Sequence, residues 1–148
     1  MERRLDYPRL APEAAKAMYA LGSYLAGSGL EHGLLELVKI RASQINGCAF
    51  CIDMHTKDAR AGGETEQRIY ALNAWRETPF FSDRERAALS WTEAVTRIGD
   101  GVPDELYAEV RPLFSEKELV DLTWAVAAIN AWNRVAISFR SVPGSYKS

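Results

Sequence analysis

The chain contains only two cysteines, Cys48 and Cys51, and they lie three positions apart. A histidine, His55, follows four positions after the second cysteine. On an α-helix each residue turns the chain by about 100°, so these three side chains fall within an arc of roughly 60°. The spacing therefore predicts a helix face that presents two thiols and an imidazole side by side.

These residue types in this order favour thiol redox chemistry. A thiolate attacks a peroxide or a disulfide where a thiol does not, and the start of a helix lowers the pKa of a thiol. The pair Asn46-Gly47 predicts the end of one helix, which places both cysteines in the first turn of the next. His55 could accept a proton from Cys51 and return one to a leaving oxygen. Cys48 lies close enough to resolve a sulfenic acid on Cys51 by forming a disulfide.

Glu36 lies on the preceding helix and could orient His55 or relay its proton through water. Other interpretations of these residues stay open. Cys48, Cys51 and His55 could supply three zinc ligands, with Glu36 as the fourth, or the cysteines could simply pack in a core. The lack of a second CxxC pair disfavours zinc. The alternatives to an enzyme are thus a helical oligomer that binds a metal or small ligand with little catalysis, and a redox-sensing interaction module.

The wider motif is more specific than the cysteine pair alone. Glu36 stands twelve positions before Cys48, and the run that follows is Cys48-Ala49-Phe50-Cys51-Ile52-Asp53-Met54-His55-Thr56. This arrangement resembles the core motif of the alkylhydroperoxidase D (AhpD)-like proteins of the carboxymuconolactone decarboxylase-like superfamily. The match covers about residues 30–74. Lactone decarboxylation fits poorly, because the decarboxylase branch of the superfamily does not rely on a CxxC pair.

The resemblance implies an all-helical fold that assembles into homo-trimers or homo-hexamers. It implies an enzyme, a peroxidase or disulfide reductase that acts on a hydroperoxide or disulfide substrate, needs an unidentified thiol reductant, and uses no cofactor, whether metal, flavin or haem. By position, Cys51 resembles the residue oxidised to sulfenic acid, and Cys48 resembles its proton donor and resolving partner. His55 and Glu36 resemble the proton relay.

One position departs from the family pattern. Better-known AhpD proteins have a histidine just before the second cysteine, and here that position is Phe50. Without that histidine, the Cys48 thiol lacks an adjacent base. A phenylalanine also makes the pocket drier, which tends to raise a thiol's pKa. We therefore expect slow peroxidase turnover.

The remaining sequence predicts helices that position this motif. Apolar residues recur at three- and four-residue steps from Leu10 to Leu25 and from Leu30 to Ile45, which predicts a helix over each stretch. Further helices are predicted from Cys48 to the Gly62-Gly63 pair, over Thr65–Trp75, and in a short piece at Pro103. Capping boxes at Ser82 and Ser115 predict two more. No segment alternates as a strand would. We therefore predict an all-α fold of six or seven helices, forming one domain over residues 1–148.

The helix from Leu119 to Ile137 is apolar nearly all round, which predicts that it is central or covered by a second subunit. The composition, 47% hydrophobic and 26% charged with a net charge of −2, is that of a globular protein and gives no reason to expect nucleic acid or membrane partners. No signal peptide is expected, so the predicted location is the cytoplasm. We also expect His32 to be a solvated or capping residue, Asp53 to be exposed or paired, and residues 145–148 to be disordered.

Overall fold

The structure is a computed structural model that describes all 148 residues, and it contains helices but no strands. The eight α-helices are α1 (Tyr7–Leu10), α2 (Pro12–Ala26), α3 (His32–Asn46), α4 (Ala49–Ala61), α5 (Glu66–Ala71), α6 (Asp83–Thr96), α7 (Asp104–Val110) and α8 (Glu116–Ser138). Short 3₁₀ helices follow α5, α6 and α7, at Leu72–Glu77, Ile98–Asp100 and Arg111–Leu113. The predicted all-α class is confirmed. The eight α-helices are one more than the upper limit of the predicted six or seven.

Helix starts follow the capping residues. Ser82 and Ser115 each accept a hydrogen bond from the amide three residues later, and the glutamate at that position bonds back to the serine amide. Both predicted capping boxes are therefore confirmed. The first predicted helix is present as α2, but it begins at Pro12 and not at Leu10, because Ala11 adopts a non-helical φ of −131°. Proline suits that first-turn position, since its missing N–H has no helical partner there.

Helix α3 lies at the centre of the fold, packed against α4, α6 and α8. Eight of its 15 residues are buried: Leu34, Leu35, Glu36, Leu37, Val38, Ile40, Ala42 and Ser43. Truncating a fully buried leucine to alanine typically costs about 2–5 kcal/mol of stability. The helix that contains Glu36 is therefore firmly fixed from three sides.

Helix α8 packs on α2, α3, α4 and α6, with Leu122, Val126 and Ile129 buried. One stripe of it stays uncovered, since the Val120 and Trp124 residues are 56% and 54% exposed. The single chain therefore does not bury this helix all round, and its cover by a second subunit stays a prediction. Although α8 is the longest helix, neither it nor any other has the apolar length needed to cross a bilayer.

The chain beyond α8 folds back onto α4, and the prediction of a disordered tail is wrong. The Gly144 amide donates to Asp53 Oδ2 at 2.9 Å, and the Tyr146 hydroxyl donates to Asp58 Oδ1 at 2.7 Å. Lys57 also donates to Asp53 at 2.9 Å, so the expectation that Asp53 is exposed or paired is met by pairing. Short-range sequence patterns gave no sign of these contacts, because their partners lie about ninety residues apart.

Candidate active site

The turn between α3 and α4 sets the position of the cysteines. Gly47 ends α3 in the left-handed conformation, with φ 70° and ψ 31°, which a side chain would strain. The Cys48 amide then donates to the Ser43 carbonyl at 3.0 Å. Cys48 caps α4, and its Sγ accepts from the Cys51 amide at 3.3 Å. Helix α4 therefore begins one residue later than predicted, and both sulfurs still lie at its N-terminus.

Cys48 and Cys51 are joined in a disulfide, and each residue is only 1% exposed. Their surroundings are apolar, formed by Ala42, Ile129 and Ala136 with Phe50 and Trp132 at the edge. The structure thus contains the oxidised form of the pair that the three-residue spacing favours. Its reversibility stays a prediction.

Glu36 and His55 meet behind the cysteines, and both are buried. His55 Nδ1 donates to Glu36 Oε2 at 3.0 Å, and Lys39 Nζ donates to the other carboxylate oxygen at 2.7 Å. His32, at the exposed start of α3, lies 4.0 Å from the same oxygen and is mostly solvated, as expected. His55 therefore has a fixed ring orientation, and its Nε2 makes no hydrogen bond within the protein.

The charge state of Glu36 follows from its neighbours. Burial is the largest single influence and would raise its pKa, but the hydrogen bonds and positive charges of His55 and Lys39 outweigh it. The pKa of Glu36 is therefore held below its ordinary value of 4.5. An ionised Glu36 is an acceptor that keeps the proton of His55 on Nδ1. Nε2 is then the nitrogen left to exchange protons with a substrate.

A cleft of about 680 Å³ opens onto this centre. Cys51 and His55 line it, whereas Cys48 and Glu36 do not. Most of its other walls are apolar or aromatic, and they include Tyr7, Met18, Tyr19, Leu25, Leu35, Phe50, Met54, Ile129 and Trp132. The Tyr19 and Trp132 rings lie 5.4 Å apart, which closes the wall between α2 and α8. A molecule in this cleft meets Cys51 and not Cys48.

The polar atoms that converge here fit proton transfer better than metal binding. Glu36, His55 and Asp58 bring one nitrogen and two carboxylate oxygens within 4.8 Å of one another. The Lys39 ammonium already lies against Glu36, and it would repel a second cation. The two cysteine sulfurs are bonded to each other, so the zinc set considered from the sequence is not assembled in this form.

The predicted residues are thus brought together, and two neighbours were missed. Asp58 continues the face of Cys48, Cys51 and His55 at a further three-residue step, so the helical spacing could have found it. Tyr146, which donates to Asp58, had no such signal, because its position depends on the fold of the whole chain.

Comparison with known proteins identifies the family. The sequence profile of the Carboxymuconolactone decarboxylase family (CMD) matches residues 12–94. The chain belongs to the carboxymuconolactone decarboxylase family. The uncharacterised protein YdfG of Bacillus subtilis (strain 168) is 50% identical to this chain over 139 residues, which cover 93% of this chain and 95% of YdfG.

Solved structures place the chain on the AhpD-like side of this family. A protein of unknown function from Agrobacterium tumefaciens, proposed to be the antioxidant defence protein AhpD, superposes with a TM-score of 0.93 at 46% identity, covering 98% of this chain and 100% of that one. The debrominase Bmp8 superposes with a TM-score of 0.82 at 19% identity, over 90% of this chain and 73% of Bmp8. At that identity the likeness to Bmp8 is one of fold alone. The AhpD-like resemblance read from the motif is confirmed.

Proposed function

We propose that this AhpD-like protein is a CxxC-dependent thiol peroxidase that reduces organic hydroperoxides. The observation that supports this most directly is that Cys51 and His55 share the wall of one cleft, while Glu36 holds the imidazole from behind at 3.0 Å. A nucleophile, a base and a group that orients the base then follow one another from the cleft inwards.

The first step starts from the reduced pair. His55 Nε2 takes the proton of the Cys51 thiol, and the thiolate sulfur attacks the terminal oxygen of the hydroperoxide. The oxygen–oxygen bond breaks, so Cys51 becomes a sulfenic acid and an alkoxide leaves. His55 returns its proton to the alkoxide, which departs as an alcohol, and Glu36 stabilises the imidazolium between these two transfers.

The second step forms the disulfide seen in the structure. Cys48 loses its thiol proton, its sulfur attacks Cys51 Sγ, and the sulfur–oxygen bond breaks. The hydroxide that leaves takes up the proton and departs as water. An external dithiol then reduces the Cys48–Cys51 disulfide by thiol–disulfide exchange, becoming a disulfide itself and restoring both thiols. The cycle balances without a metal or an organic cofactor.

The cleft favours bulky apolar hydroperoxides over hydrogen peroxide. Its volume of about 680 Å³ is in the range that encloses a drug-sized molecule, and its walls are mainly apolar. Burial of each methylene group contributes about 0.8 kcal/mol of transfer free energy, so an apolar body gains affinity that hydrogen peroxide lacks. Cumene hydroperoxide should therefore be reduced with a higher kcat/KM than hydrogen peroxide.

The test is hydroperoxide consumption by the purified protein with dithiothreitol as the reductant. We expect Cys51→Ser to abolish turnover and Cys48→Ser to leave a sulfenic acid on Cys51 that a probe can trap. Glu36→Gln should reduce kcat, since the imidazole loses its anionic partner. The matched control is Glu116→Gln, which changes an exposed glutamate in the first turn of α8 and should leave the rate unchanged.

Four results would contradict this proposal in different ways. A sulfenic acid trapped on Cys48 in the Cys51→Ser variant, with none on Cys51, would reverse the two roles. Thiols that bind zinc stoichiometrically and resist peroxide would favour the metal-binding alternative. Thiols that oxidise reversibly without turnover would favour a redox-sensing module. A brominated pyrrole serves as an additional substrate, because loss of bromide in place of peroxide consumption would show a different reaction on the same fold.

A further inference from the structure

The C-terminal segment (residues 141–148) contacts α4 at three residues that lie within two helical turns, Asp53, Lys57 and Asp58. The Gly144 amide donates to Asp53, the Lys57 ammonium donates to the Tyr146 carbonyl at 3.1 Å, and the Tyr146 hydroxyl donates to Asp58 at 2.7 Å. The last of these contacts is the one that reaches the active site. Asp58 lies one helical turn after His55, on the same face of α4.

Asp58 adds a second carboxylate to the Glu36–His55 pair. Ligand atoms of all three side chains lie within 4.8 Å of one another. Lys39 neutralises only Glu36, with which it is in contact at 2.7 Å. The hydroxyl of Tyr146 is the one side-chain donor that bonds to Asp58. An anion this close to an imidazole favours its protonated form, so the position of Asp58 should affect proton transfer by His55.

Tyr146 is suited to hold Asp58 in place at any working pH. The hydrogen bond to Asp58, together with burial and the negative charges of Asp58 and Glu36, raises the pKa of Tyr146 to about 12. The phenol therefore stays protonated and remains a donor. It also ties the end of the chain to the reaction centre, across 88 residues of sequence.

We propose that Asp58 is a positioning residue of the proton relay, and that Tyr146 fixes its carboxylate beside His55. The inference rests on the proposed function, since the proton relay matters only if His55 transfers protons. Several titratable or charged groups face His55 or share its cleft. They are Glu36, Lys39 and His32 from α3, Cys51 and Asp58 from α4, Tyr7 from α1, Tyr19 from α2, Tyr146 from the C-terminal segment and Arg3 from the N-terminus. Asp58 is the carboxylate among them that no cation neutralises.

The experiment is an NMR titration of the His55 imidazole in the reduced protein without peroxide. A charged carboxylate within about 4–6 Å of a basic group typically raises the pKa of that group by about one unit or more. Asp58→Asn should therefore move the His55 midpoint to lower pH, and Tyr146→Phe should move it in the same direction by less. The acid limb of the peroxidase pH–rate profile should move to lower pH with it, because neutral His55 is the form that accepts the thiol proton.

The controls are Tyr70→Phe, which removes an exposed hydroxyl on α5, and Asp104→Asn, at the exposed start of α7. Both should leave the His55 titration unchanged. An unchanged titration in Asp58→Asn would overturn the inference, and an unchanged titration in Tyr146→Phe alone would remove Tyr146 from it. Because this titration needs no turnover, its result is independent of whether the protein consumes hydroperoxide.

Discussion

The two cysteines have different surroundings although they share one turn of helix. Cys51 lines the cleft and lies one turn from His55, whereas Cys48 is outside the cleft lining and uses its sulfur to cap the Cys51 amide. Phe50, which also lines the cleft, offers neither sulfur a proton acceptor. In the proposed mechanism, Cys51 therefore depends on a single base, His55, and no adjacent base assists Cys48 when the disulfide forms.

A histidine at position 50 should speed the reaction. Phe50→His would place an imidazole in the first turn of α4, where it could take the proton of Cys48 as the disulfide forms. General acid–base assistance is typically worth about 10²–10⁴-fold, so an increase in cumene hydroperoxide turnover near neutral pH should be measurable in steady-state kinetics. The fold should change little, because a helix accepts either residue almost equally.

A null result would also be informative. If Phe50→His leaves the rate and its pH profile unchanged while Glu36→Gln and His55→Gln are inactive, proton transfer uses Glu36 and His55 alone. The expectation of slow turnover would then be wrong.

At the scale of single residues, the sequence predicted the members of the candidate site as far as helical spacing extends. Cys48, Cys51 and His55 follow from one periodicity. Glu36 lies on another helix, so it was proposed from its place on the preceding helix and then from the wider motif. Asp58 was within reach of the same periodicity. Tyr146 was not, since it meets α4 only after the whole chain has folded.

At the scale of elements, a polar network joins the end of α3 to α8 and α6. Asn46 donates to Asn130 and Asn133 at 2.9 Å each, Asn133 donates to Ser43 at 3.0 Å, and Asn130 donates to Thr96 at 3.1 Å. Asn133 is fully buried. The network fixes the residue two positions before Cys48, so it sets where α4 starts relative to the cleft.

Replacing Asn133 with leucine should therefore destabilise the fold. The side chain has a similar size, but Asn46 would lose an acceptor and Ser43 a donor in a buried setting. Such losses cost about 1–3 kcal/mol, which corresponds to a fall in Tm of roughly 3–10 °C for a domain of this size. Thermal unfolding monitored by circular dichroism measures this. Asn73→Leu, an exposed control, should stay within about 0.5 kcal/mol of the parent. Equal Tm values for both variants would mean that the network does not stabilise this junction.

The helices themselves were predictable to the degree that their ends have local signals. The capping boxes at Ser82 and Ser115 marked two starts correctly, because a cap needs only neighbouring residues. The region predicted as one helix over Thr65–Trp75 instead becomes 3₁₀ from Leu72, with a kink at Ala74. Leu72 and Trp75 pack into the core with residues of α3 and α6, and no local pattern reports these contacts.

At the scale of the whole molecule, the single chain leaves apolar surface uncovered on two adjacent helices. Val120 and Trp124 are exposed on α8, and Tyr19 and Tyr24 are exposed on α2, which packs against it. Exposed apolar surface of this kind commonly marks an association surface. Homo-oligomerisation, expected from the family resemblance, would cover it.

We therefore expect the protein to sediment as a homo-trimer or homo-hexamer, and expect Trp124→Glu to reduce that mass. A charge at this position meets solvent in the free chain, so the fold should persist, but it would be desolvated in an interface at a cost of several kcal/mol.

A substitution at Ile129 could not make this distinction, because that residue is buried in the single chain and a charge there would disrupt the core. Tyr70→Glu places the same charge on an aromatic position of α5 that is still more exposed and lies away from α2 and α8, and it should leave the mass unchanged. Sedimentation velocity measures all three proteins, with circular dichroism as the check on folding. A parent protein that sediments as a single monomeric species would contradict the expectation, and the apolar stripe on α8 would then need another explanation.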